Sequence, residues 1–298
     1  MMNRTDRHFR FLMRLITRHT RLYTEMVVAR GLVFGDADKL LRYRSEEHPL
    51  ALQVGGHEPE ILAQAARLAQ AHGFDEINLN IGCPSPRVGA GRMGACLMAE
   101  PALVADCVAA MHEASPLPVT VKTRLGIDHD DSKEFLYRFV ETVAASGCRT
   151  FVVHARKAWL EGVSPRANRN IPPLDYARVA ELKRRYPALE ILINGGVADL
   201  DSAAALLRGV DGVMLGRAAY ARPMLFAAAD ARFYADTRAV VRRTLVLTGY
   251  LAYLRECVAR GERLGPALRH VPGVLGGRVA GVIHAPAGLE VAERFLLT

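Results

Sequence analysis

From Leu22 to Tyr220 the chain alternates short apolar segments with longer helical ones, and few folds accept that rhythm. The apolar segments are Leu22–Ala29, Leu50–Gly56, Glu76–Ile81, Val119–Gly126, Thr150–Arg156, Glu190–Val197 and Gly212–Tyr220. Between them lie stretches such as PEILAQAARLAQAH (Pro59–His72), which starts on a proline suited to a first helical turn. Short, continuously apolar strands separated by helices mean a parallel sheet covered by helices. The seven strands could form an open doubly wound sheet, but at this length the closed eight-stranded (β/α) barrel is the commoner solution. The reading is therefore α/β, a TIM (β/α)8-type barrel with its first strand absent from this chain. Only six residues, MMNRTD, precede the first helical stretch, Arg7–His19. Either the barrel is open at its first position or the start falls inside a longer gene; the second is favoured, because an open barrel exposes strand edges.

Beyond about Arg222 the strands stop. Leu225–Phe233, Thr237–Ala259 and a last short segment read as helices, with Leu245, Leu247, Tyr250, Leu251, Leu254 and Val258 on one face of the longest. Residues 1–225 thus form the barrel and residues 226–298 a small all-helical domain. From Arg232 to the end there are ten Arg, no Lys and five acidic residues. Arginine forks match phosphate geometry, which makes a polyanionic partner reasonable. With five Lys in the whole chain, a codon bias explains the same enrichment.

No apolar run reaches the roughly 18–20 residues needed to span a bilayer, and the basic start lacks a secretory cleavage site. Five cysteines, with no CxxC pair, argue for a reducing compartment and against a zinc site. The expectation is a cytoplasmic monomer with no membrane and no metal.

The chemistry centres on Glu76–Met98. Ile77, Leu79 and Ile81 alternate with Glu76, Asn78 and Asn80, and the strand then breaks at Gly82-Cys83-Pro84. A thiol just past a strand end is a candidate reactive group, although an isolated cysteine in a turn is more often a buried free thiol. The Pro84–Met93 loop reads as a mobile flap carrying Cys83.

In a parallel barrel the active residues gather at the C-terminal strand ends. Read in order, those ends carry Gln53; Asn80 and Cys83; Lys122 and Arg124; His154 and Arg156; Asn194, Gly195 and Gly196; and Gly216 and Arg217. Lys122 interrupts a buried run, so it pairs with a carboxylate, for which Glu25 is the candidate at an equivalent strand end, or with a bound anion. The glycines of INGGV and LGRAA sit at the two strands where barrels hold phosphates. Flavin mononucleotide (FMN) would satisfy the set: phosphate on Gly195, Gly196, Gly216 and Arg217, ring against Gln53, Lys122 and His154, and Cys83 opposite the ring.

LQVGG, INLNIGCPS, GACLM, VTVKTRLGID, VVHARKAWL, IPPLDY, INGG and DGVMLGRAAY together resemble the tRNA-dihydrouridine synthases, most of all the subfamily reducing uridines 20 and 20a of the tRNA D-loop. The resemblance implies FMN on Gln53, Lys122, His154, Asn194, Gly195, Gly196, Gly216 and Arg217. It implies NADPH as reductant and Cys83 as the acid that protonates C5 while hydride reaches C6. It also implies Asn80, Arg166 and Arg169 as tRNA contacts and the C-terminal helical domain as an RNA holder. Two features depart from the family. Its opening strand, ending in Ala-Pro-Met, is not here, and His270–Gly281 reads HVPGVLGGRVAG in place of a stretch ending Pro-Gly-Ala-Arg, with Arg269 and Arg278 nearby. An FMN enzyme acting on a free pyrimidine, or an RNA-binding remnant without flavin, are the competing readings; the Arg166/Arg169 loop and basic tail favour tRNA.

Overall fold

A computed structural model describes residues 1–276 of the protein. Seven strands form one sheet in the order β1 to β7: Leu22–Val28, Leu50–Gly55, Glu76–Asn80, Val119–Arg124, Thr150–His154, Glu190–Asn194 and Gly212–Met214. From β2 onward each strand pairs in parallel with the next. A doubly wound sheet reverses its strand order at a switch point. Here the order is strictly sequential, so every crossover steps the same way and the sheet curls. Among the described residues no pairing joins β7 back to β1.

Two compact units emerge. One comprises Tyr23–Arg42 and Leu50–Leu215 and contains the sheet. Its helices are apolar on the side facing the strands: Leu62, Ala65, Ala66 and Ala69 are buried on Pro59–Ala71, and Val104, Cys107, Val108 and Met111 on Pro101–Ala114. The small alanines let these two helices pack closely. Several helices start on a capping side chain: Ser132 accepts from Phe135 N, Asp175 from Arg178 N and Asp199 from Ser202 N, which pairs otherwise orphaned amides. The register aligns Asn80 with Lys122 and places Arg124, His154, Asn194 and Met214 level across β4 to β7.

The other unit comprises, among the described residues, Met1–Leu22, Tyr43–Pro49 and 216–276. Asp6 caps the Arg7–Ile16 helix by accepting from Phe9 N at 3.0 Å. That helix packs on Arg243–Ala259, with Phe11 stacked on Tyr253 at 4.2 Å between ring centres and His8 Nδ1 sharing a 2.7 Å hydrogen bond with Tyr253 Oη. Arg10 Nε donates to the buried Glu47 at 2.6 Å. His8, Cys257 and Glu262 lie close together, but Glu262 is engaged by Arg7 at 2.6 Å and by Arg260 at 3.2 Å.

Three expectations change. The segment read as a strand through Tyr220 ends at Met214, and Arg217–Ala221 is a short helix, as its alanines prefer once Gly216 has broken the strand. The long C-terminal helix starts at Arg243 rather than Thr237. Its buried face runs through Val246, Leu247, Tyr250, Leu251, Tyr253, Leu254 and Cys257, so Leu247, Tyr250, Leu251 and Leu254 lie on it as expected, while Leu245 and Val258 are 59% and 44% exposed. The stripe shifts toward Tyr253, whose ring stacks on Phe11 and Tyr250 and buries a large area. Arg278 and the rest of 277–298 lie outside the described residues.

Candidate active site

Cys83 follows β3 directly and is half-buried. Asn80, at the strand end, holds it: Gly82 N and Cys83 N both donate to Asn80 Oδ1 at 3.0 Å. On the far side Ala95 N donates to the Cys83 carbonyl at 2.9 Å. Gly94 allows that approach. Its φ is +78°, and a Cβ there would lie 2.5 Å from the Cys83 carbonyl oxygen. Within the loop between, Pro86–Gly89 forms a helical turn. Three backbone hydrogen bonds thus position the thiol, which remains half-buried.

Gln53 lies in β2 beside this turn. Its Oε1 accepts from Asn80 Nδ2 at 2.9 Å, and its Nε2 donates to Asn78 Oδ1 at 2.9 Å. So Gln53 on β2 and the Asn80–Cys83 turn after β3 are joined by direct hydrogen bonds. Asn80 spends its carbonyl oxygen entirely on the Cys83 turn.

Lys122 Nζ donates to Asn194 Oδ1 at 3.1 Å, and Asn194 Nδ2 to the Met214 carbonyl at 2.7 Å. Glu25 is not its partner, and among the described residues no carboxylate pairs with it. Part of the side chain is accessible, yet dehydration of the ammonium, helped by the neighbouring Arg124 charge and opposed by Cys83, pushes its pKa down to about 7. A lysine so placed gains from an anion.

His154 is buried at the end of β5. Gly195 and Gly196 follow β6 with φ of +113° and +70°. A Cβ on Gly195 would stand 3.1 Å from His154 Nε2, and one on Gly196 only 2.5 Å from Leu174 Cδ1. Tyr176 Oη fixes this turn by donating to the Gly195 carbonyl at 2.6 Å. Gly216 and Arg217 belong to the other unit, where Gly216 precedes the Arg217–Ala221 helix and Arg217 is exposed.

The loop Lys157–Pro173 is ordered around Asn168, which is fully buried. Asn168 Oδ1 accepts from Trp159 N at 2.7 Å, and its Nδ2 donates to the carbonyls of Trp159 and Val163. Arg166 and Arg169 flank it and are exposed. Arg124 connects this loop to the thiol: its Nε donates to Gly82 O at 3.0 Å, and its Nη1 to Lys157 O and Asn168 O at 3.1 Å each. Burial pushes its pKa down to about 10, against the raising effect of Cys83. Arg156 does similar duty, donating to the carbonyls of Asn170 and Pro172.

Sequence reasoning did not single out Asn78, Thr120, Glu76 or Asn168. The signal for the first was present, since a polar residue between Ile77 and Leu79 reads as solvent-facing on an open sheet but points to a polar interior in a curled one.

A sequential parallel sheet whose strand ends gather a half-exposed thiol, a dehydrated lysine, a histidine and a glycine turn defines an α/β enzyme with its site at the C-terminal strand ends. The comparison with known proteins narrows the class. The sequence pattern of the family described as Dihydrouridine synthase (Dus) matches residues 1–282, and the chain belongs to that family. Among curated relatives, a tRNA-dihydrouridine(20/20a) synthase of Synechocystis sp. is 52% identical over 278 residues, 93% of this chain and 83% of the relative. Proteins of the same description from Vibrio parahaemolyticus (50% over 304 residues, 98% and 93%) and Escherichia coli (50% over 278 residues, 93% and 80%) are comparably similar. Among solved structures, morphinone reductase shares the fold at 14% identity, with a TM-score of 0.56 over 76% of this chain and 81% of that one. Among the described residues no helix is long and apolar enough to cross a membrane.

Proposed function

We propose that the protein is a cytoplasmic, monomeric tRNA-dihydrouridine(20/20a) synthase, reducing uridines 20 and 20a of the D-loop to 5,6-dihydrouridine. The observation that carries this reading is the address of Cys83, a half-exposed thiol held by Asn80 beside Gln53 at a strand end. In this reading the seven strands belong to a TIM (β/α)8-type barrel, and the described helices beyond residue 226 help to hold the tRNA.

The residues fit FMN. Lys122 has an amide rather than a carboxylate for company, and so suits the electron-rich edge of a flavin. Gly195 and Gly196 have left-handed backbones with no side chain in the way, which suits a phosphate. We assign Gln53, Lys122, His154 and Asn194 to the ring, and Gly195 and Gly196 to the phosphate. When bound and reduced by NADPH, FMN supplies the hydride that adds to C6 of the uracil.

Cys83 then supplies the proton to C5 from its Sγ–H, so that hydride and proton together saturate the C5–C6 bond. The thiolate left behind lies near Lys122 and Arg124, whose pKa values it raises, and it regains its proton from solvent. The target base reaches this site only by leaving its stack. Asn80 contributes by holding the Cys83 turn and has one amide hydrogen left for the base, while Arg166 and Arg169 take phosphates.

Cys83→Ala tests the reading. The variant is expected to keep a bound-flavin absorption spectrum and to lose most dihydrouridine formation in tRNA lacking the modification. Undiminished product from Cys83→Ala would remove the proton-donor role.

A further inference from the structure

Beneath the site runs a polar chain through the apolar sheet. Tyr23 Oη and Thr120 Oγ1 donate to Glu76 Oε1 at 3.0 and 2.6 Å. Asn78 Nδ2 donates to Thr120 Oγ1 at 2.8 Å. Gln53 Nε2 donates to Asn78 Oδ1 at 2.9 Å, and Asn80 Nδ2 to Gln53 Oε1 at 2.9 Å. The chain ends where Asn80 Oδ1 accepts from Gly82 N and Cys83 N at 3.0 Å each. Glu76, Asn78 and Thr120 are 1%, 0% and 2% exposed, so water does not substitute for a missing link.

The direction of this chain is determined from one end. A side-chain amide turned through half a rotation keeps its shape and exchanges donor for acceptor. A carboxylate only accepts, so the Thr120 hydroxyl must donate to Glu76 and accept from Asn78. Asn78 then offers its oxygen to Gln53, Gln53 its oxygen to Asn80, and Asn80 its oxygen to the Cys83 turn. Reversing any one amide sets donor against donor until all three reverse, and that would put the Asn80 amino group against the N–H groups of Gly82 and Cys83.

We infer that Glu76, Asn78 and Thr120 are positioning residues, which set the orientation of the Gln53 and Asn80 amides and through them hold the backbone of Cys83. None of the three touches the thiol. The consequence for turnover rests on Cys83 being the proton donor; the structural claim does not.

The test uses Thr120→Val, which keeps the shape and removes the hydroxyl, and Thr120→Ser, which restores it. Hydrogen exchange of the Gly82 and Cys83 amides is read in the purified full chain, with the Leu52, Leu79 and Val121 amides as controls. In Thr120→Val the two turn amides are expected to exchange about tenfold faster or more, with the controls within about twofold, and Thr120→Ser to match wild type. The same variant is expected to lose about tenfold in kcat with KM for tRNA changed less than about twofold. Unchanged exchange at Gly82 and Cys83, or an equal rise at the control strands, overturns the inference. Wild-type protein that forms no dihydrouridine refutes the functional reading, and the exchange comparison then still decides the polar chain.

Discussion

The Arg124 guanidinium donates to the Gly82 carbonyl at 3.0 Å, immediately ahead of Cys83. The same group reaches Lys157 O and Asn168 O, so one side chain fastens the thiol turn and the loop of exposed arginines together. Arginine suits this because its rigid fork offers several donors in fixed directions.

Arg124→Lys keeps the charge but offers one ammonium in place of the fork. It is expected to lower kcat/KM for tRNA by about 10- to 100-fold, since displacement of a catalytic group by an ångström costs about that much. Retention of the wild-type flavin spectrum would show that the barrel has folded; activity within about twofold of wild type would remove the link.

Gly196→Ala places a Cβ 2.5 Å from Leu174 Cδ1 at a φ of +70°. The strained backbone alone costs about 1–2 kcal/mol, so urea denaturation is expected to show at least that loss. Flavin affinity is expected to weaken in parallel, because the turn must shift to relieve the contact.

Lys122 makes the flavin-free protein's stability depend on pH. Its pKa is about 7 folded, against an ordinary 10.5. Between those values the unfolded chain binds the extra proton, so stability rises with pH from about 7 toward 10.5 by up to about 1.4 kcal/mol per unit, and this contribution is lost as pH falls through 7. Lys122→Met is expected to flatten that slope, as read by urea midpoints across the range.

Arg10 and Glu47 form a buried pair at 2.6 Å, and burial holds the Glu47 carboxyl above its ordinary range despite the neighbouring charge. Arg10→Met strands that carboxylate and is expected to cost about 3–5 kcal/mol. Adding Glu47→Gln is expected to recover part of the loss, which a double-mutant cycle in urea would measure.

The strand-end positions of the candidate residues are legible in the sequence itself. Strand ends are recognisable because an apolar run stops at a glycine or a polar residue, and the barrel rule assigns function to those positions. That rule selects Gln53, Asn80, Cys83, Lys122, His154 and Asn194 as candidates. Helix faces were less legible: Leu245 and Val258 fit the helical period on Arg243–Ala259, but that helix turns Tyr253 and Cys257 inward. Periodicity finds a stripe without saying which of two adjacent stripes meets a neighbour.

What the sequence determined by itself was the order of elements and the address of the thiol, because both follow from local alternation and from where glycine and proline interrupt it. The tertiary structure alone decided what each polar strand residue bonds to. Asn78 and Asn80 are two residues apart on one strand face, yet one donates to Thr120 and the other holds the Cys83 turn. Their partners come from strands β2 and β4 and from the loop beyond, and hydrogen-bond direction is settled only when donors and acceptors distant in sequence are brought within about 3 Å.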